Sequence, residues 1–85
     1  MIIKVFSTQY CPKCQRLKKF LSDIGIEYKS MDMETAEGMS ELFNNFIYTF
    51  NAPVLQVDNS FLVTEKLFKG VQLNEEFIRG ITNTN

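Results

Sequence analysis

The chain's two cysteines, Cys11 and Cys14, stand two residues apart between a strand-like run and a helix-like stripe. That placement constrains the fold more than any other feature. Ile2 to Phe6 is a short β-branched and aromatic run, interrupted by Lys4, that fits a buried strand. Leu17, Phe20, Leu21 and Ile24 fall at i, i+3, i+4 and i+7, the core stripe of a helix that Gly25 ends. The backbone must therefore pass from strand to helix across Cys11-Pro12-Lys13-Cys14. Pro12 suits the first helical position, where its missing N–H costs nothing and its fixed φ already matches the helix.

Past that junction the alternation continues. Ile26 to Met31 alternates as a second strand does, and Thr35 is placed to cap a helix with Met39, Leu42, Phe43 and Phe46 on one face. Pro53 opens the run Val54 to Val57, Asp58-Asn59 is a turn signal, and Phe61 to Val63 returns, so these residues read as a hairpin. Asn74 is placed to cap a last helix. Leu73 and Ile78 form its hydrophobic staple, and Phe77, Ile78 and Ile81 face inward. The predicted order is βαβαββα, an α/β domain spanning 1–85. The eight phenylalanines read as core packing, and Met31, Met33 and Met39 as gap fillers.

The cysteine pair has a chemical consequence. With Cys11 as N-cap, its sulfur can accept from the backbone N–H groups of Lys13 and Cys14 at the positive end of the helix dipole. Both effects favour thiolate, and cysteines so placed have pKa values of roughly 3.5 to 7.5 against ~8.5 for a free thiol. Cys14, one turn inward, can attack a mixed disulfide formed on Cys11. This makes Cys11 the nucleophile and Cys14 the resolving thiol. Lys13, Arg16, Lys18 and Lys19 form a basic rim, and Lys13, inside the motif, is expected to tune the sulfur, while Asp32, Glu34, Glu37 and Glu41 gather later.

Composition narrows the partners. A net charge of −1 over 85 residues gives no overall pull toward nucleic acid or an anionic membrane. The apolar runs fall far short of the ~20 residues that span a bilayer, and no signal segment opens the chain. A reducing, cytoplasmic location is expected, where two cysteines so spaced are more often catalytic or metal-binding than structural.

Three features together resemble the glutaredoxin-like redoxins of the thioredoxin-fold superfamily: Cys11-Pro12-Lys13-Cys14 between first strand and first helix, Ala52-Pro53-Val54 opening the third, and the length of the chain. The resemblance implies a thioredoxin fold with a four-stranded mixed sheet flanked by three helices. It also implies a cis bond at Pro53 and a substrate groove that includes Tyr10, Ala52, Pro53 and Gly70. No bound cofactor and no metal are implied, and the partners are a disulfide-containing protein and a reductant.

The departures bear on that reductant. Glutaredoxins that use glutathione usually carry a lysine where this chain has Thr8, and a Gly-Gly followed by a polar or acidic pair where it has Lys69-Gly70-Val71-Gln72. Lys69, Gln72, Arg16 and Lys13 are the candidate substitutes for binding glutathione as co-substrate. The glutaredoxin-like electron donors of ribonucleotide reductase depart in a comparable way and draw on a thioredoxin reductase. The expected function is a monomeric dithiol electron carrier that reduces protein disulfides. The alternatives are an iron–sulfur or metal carrier that binds through Cys11 in a dimer or with glutathione, and an inert module with a structural disulfide. A four-ligand site would need thiolates from outside one chain.

Overall fold

A computed structural model describes residues 1–82. Strand β1 (Ile3–Ser7) leads into helix α1 (Pro12–Asp23), followed by β2 (Lys29–Asp32) and α2 (Ala36–Asn44). Strands β3 (Val54–Val57) and β4 (Ser60–Leu62) form the hairpin. A one-turn helix α3 (Thr64–Leu67) and a ribbon of β5 (Phe68–Lys69) and β6 (Gln72–Leu73) precede α4 (Glu75–Thr82). The main sheet has order β2-β1-β3-β4, with β1 parallel to β2 and antiparallel to β3, and β3 antiparallel to β4. This is the mixed four-stranded sheet of the thioredoxin fold. The segment between hairpin and last helix, which the sequence leaves without an element, holds α3 and the ribbon.

The strand alternation sorts side chains into two cores. Ile3, Val5, Leu55 and Val57 point to one face, where they meet Leu17, Phe20 and Leu21 of α1, Leu67 and Ile78. Phe6 and Val54 point to the other, where they meet Met31 of β2, Met33 just after it, and Leu42 of α2. Lys4, the break in the apolar run, shares that second face and forms an ion pair with Glu41 on α2. A charged residue therefore fits an inner strand because its helix carries the partner.

Local signals explain most boundaries. Thr35 caps α2 by accepting from the Gly38 N–H at 3.1 Å. Gly38 is required there, because a Cβ would lie 2.1 Å from the Asp32 carbonyl oxygen at the end of β2. Asp58 takes the left-handed φ of 54° at the hairpin turn. Leu73 packs against the core that contains Ile78, and the Asn74 carbonyl accepts the Ile78 N–H at 3.1 Å.

The aromatic residues divide differently from the expectation. Phe6, Phe20 and Phe68 are buried, but Phe46 and Phe50 are 79% and 80% exposed and Phe43 is 41% exposed. Helix α2 stops at Asn44, before the face on which Phe46 is expected, and Phe46 adopts φ 64°. Met31 and Met33 are buried gap fillers, whereas Met39 is only half-buried.

Candidate active site

β1 ends at Ser7, and α1 begins five residues later with Cys11 as its N-cap at φ −112°, ψ 99°. The Cys14 N–H donates to Cys11 Sγ at 3.1 Å. Of the two backbone donors the sequence offers, only this one reaches the sulfur; the Lys13 N–H does not. Cys11 and Cys14 are joined as a disulfide. Their environments differ: Cys11 is half-buried and lines a cavity, whereas Cys14 is 2% exposed and packed inward.

The cavity beside Cys11 has a volume of about 540 Å³ and is bounded by Thr8, Tyr10, Pro12, Lys13, Arg16, Phe50, Asn51, Ala52 and Val71. A second cleft, of about 440 Å³, is bounded by Lys13, Asn51, Ala52, Thr64, Glu65, Phe68 and Gly70. The two share Lys13, Asn51 and Ala52, so they form one groove that runs past the dithiol. The Ala52–Pro53 bond is cis. Pro53 itself is buried, and the Thr64 hydroxyl donates to its carbonyl at 2.7 Å.

The structure separates the residues singled out in the sequence. Tyr10 is 90% exposed, adopts φ 57° and stands with Cys11 in the first cavity, whereas Gly70, at φ 63°, turns the β5–β6 ribbon and lines the second cleft. Ala52 borders both. Lys69 and Gln72 lie elsewhere, in a cleft with Leu73, Asn74, Glu75 and Glu76. Lys13 sets its ammonium 5.2 Å from the centroid of the Phe68 ring, and Arg16 donates to the Val71 carbonyl at 2.6 Å. These two contacts tie α1 to the ribbon. Among the described residues, no cluster of three or more histidine, cysteine, aspartate or glutamate side chains could hold a metal. No helix there is long and apolar enough to cross a membrane.

Phe50, Asn51, Thr64, Glu65, Phe68 and Val71 enter the groove without having been foreseen. Phe50 and Asn51 carry one available signal, their position just before the Ala52-Pro53 motif. The remaining four depend on α3 and the ribbon, which have no periodicity to reveal them.

Residues 3–62 match the sequence profile of the glutaredoxin family. A glutaredoxin of Ricinus communis is 40% identical over 40 residues, which is 47% of this chain and 39% of the relative. A chloroplastic glutaredoxin of Oryza sativa subsp. japonica is 38% identical over 40 residues, 47% of this chain and 30% of that protein. The matched stretch spans less than half the length of either relative. Among solved structures, a thioredoxin-like protein superposes with a TM-score of 0.74 at 20% identity, over 95% of this chain and 99% of its own. The glutaredoxin of Archaeoglobus fulgidus does so at 0.68 and 17% identity, over 95% and 85%. The NrdH-redoxin of Escherichia coli, a glutaredoxin-like protein with a thioredoxin-like activity profile, follows at 0.59 and 15%, over 72% and 79%. At these identities the structures speak for the fold alone. The family match across the dithiol and the Cys11–Cys14 pair support thiol–disulfide redox activity.

Proposed function

Because the chain belongs to the glutaredoxin family, we propose that it is a dithiol electron carrier that reduces protein disulfides through Cys11 and Cys14. The observation that carries this reading is the asymmetry of the pair. Cys11 opens on the groove with its sulfur held by an N-terminal N–H, and Cys14 sits one turn inward and buried.

The chemistry balances over two exchanges. In the reduced protein the Cys11 thiolate attacks one sulfur of the substrate disulfide, forming a mixed disulfide and releasing the first substrate thiolate. The Cys14 thiol then loses its proton and attacks Cys11 Sγ. The Cys11–Cys14 disulfide forms, the mixed disulfide breaks, and the second substrate thiolate leaves. Two electrons pass to the substrate, and the resulting disulfide is the state the structure holds. The carrier acts as a monomer in a reducing compartment, the cytoplasm, without nucleic acid or membrane.

A thioredoxin-reductase-type enzyme is the proposed electron source in preference to glutathione. Thr8 brings no charge to the Cys11 cavity, Arg16 already spends a donor on the Val71 carbonyl, and the Glu65 carboxylate adds negative charge to the adjoining cleft. The redoxin of Escherichia coli pairs a glutaredoxin-like chain with a thioredoxin-like activity profile, and the same pairing is proposed here.

The test compares reduction of the oxidised protein by NADPH with thioredoxin reductase and by glutathione with glutathione reductase, using insulin as disulfide acceptor. Turnover that disappears in Cys11→Ser is expected with the first system. Absence of insulin reduction with both systems would refute the reading.

A further inference from the structure

The chain carries no charged residue between Glu41 and Asp58, yet this neutral segment is not all buried. From Phe46 to Phe50 the burial alternates. Ile47 and Thr49 are half-buried, while Phe46, Tyr48 and Phe50 are 79%, 70% and 80% exposed. Tyr48 also pairs with Phe43 on the last turn of α2, with ring centroids 5.5 Å apart. Three exposed rings thus alternate along one short segment, a strip whose Phe50 end is a wall of the Cys11 cavity.

Folding does not account for this strip. An exposed ring gains little from the core, and Phe46 holds a left-handed φ of 64°, which glycine or asparagine would adopt more easily. Exposed aromatic surface contiguous with a reactive group is the usual mark of an interface.

We infer that the strip Phe46, Tyr48 and Phe50 docks an uncharged, apolar segment of the protein whose disulfide reacts at Cys11. Three observations select this occupant. Phe50 belongs both to the strip and to the cavity, so whatever covers one approaches the other. The strip's own residues bear no charge, so they offer nothing to an ionic segment, and Lys13 and Arg16 line the cavity that Phe50 walls. Its length is also suitable: four residue steps reach at most roughly 14 Å, so the apolar residues lie about four to six positions from the reacting cysteine in an extended partner. The inference rests on the protein-disulfide reading above and specifies which disulfides are preferred.

Three nine-residue peptides provide the probe, each with one cysteine oxidised as the mixed disulfide with 2-mercaptoethanol. One carries phenylalanine and leucine before the cysteine, one after it, and one has serine at those positions. The wild-type protein should reduce one apolar peptide with a kcat/KM about tenfold above the serine peptide, the loss typical when a contacting aromatic is missing. The double variant Phe46→Ser/Tyr48→Ser should lose that preference while it reduces 2-hydroxyethyl disulfide at the wild-type rate. Phe46→Leu/Tyr48→Phe should keep the preference, and an unchanged Tm would show that the serine variant is folded. Equal rates on all three peptides, or a preference that survives the serine variant, would overturn the docking strip. So would a wild-type dimer in sedimentation that the serine variant abolishes, since the occupant would then be a second copy. Failure to reduce even 2-hydroxyethyl disulfide would instead refute the redox reading.

Discussion

At Cys11 the fold converts a two-residue spacing into two unlike environments. The capping geometry gives its sulfur one backbone donor, and burial withholds Cys14 from large partners. After reduction, iodoacetamide at neutral pH should therefore label Cys11 well before Cys14, as read by mass spectrometry of quenched digests. Cys14→Ser should accumulate a mixed disulfide on Cys11, whereas Cys11→Ser should accumulate none. Lys13 acts on two fronts, lining both halves of the groove while its ammonium rests over Phe68. Lys13→Glu should slow alkylation of Cys11 at low ionic strength, and added salt should shrink the difference.

At the scale of elements, two short contacts hold pieces the groove depends on. Helix α2 approaches the end of β2 so closely that only Gly38 fits, and its first turn is capped by Thr35. Gly38→Ala, although it raises helix propensity, should destabilise the protein by roughly 1–3 kcal/mol in urea unfolding, because the obstacle is backbone. One-turn helix α3 is tied to the start of β3 by the buried bond from Thr64 to the Pro53 carbonyl. Thr64→Val should cost about 1–3 kcal/mol by the same measurement, since it leaves that carbonyl without its donor.

Across the whole molecule, the groove is built by segments far apart in the chain. The β1–α1 junction, the residues before Pro53, α3 and the β5–β6 ribbon all meet beside Cys11, and Lys13 and Arg16 clasp the ribbon. On the proposed reading, such a groove should offer glutathione few of the charged contacts that a conventional glutaredoxin provides. Each missing charge-assisted hydrogen bond is worth about 1.5–3 kcal/mol, so losing two should weaken glutathione at least a hundredfold. Steady-state reduction of a glutathione mixed disulfide measures this: efficient turnover at low millimolar glutathione would show that Lys13 and Arg16 supply the contacts after all.

The strand and helix stripes, the capping cysteine and the hairpin turn at Asp58 were legible because each depends on residues within one turn or one strand. Periodicity and capping are local, and the α/β order follows from them. The motifs at Cys11 and Pro53, read through resemblance, point to two segments that the fold brings to one groove, Cys11 and Ala52 lining the same cavity. Tertiary structure alone decided what surrounds them. Phe46 and Phe50 looked like core because hydropathy cannot tell an inward ring from an outward one once a helix has ended. Lys69 looked like a ligand-binding cation until the ribbon's turn at Gly70 carried it to a different cleft. Thr64 and Glu65 belong to a single turn too short to show a period, and their place beside Ala52 depends on how the hairpin delivers the chain back across the sheet. Which side chains share a cavity depends on contacts between distant segments, and those form only when the two cores pack.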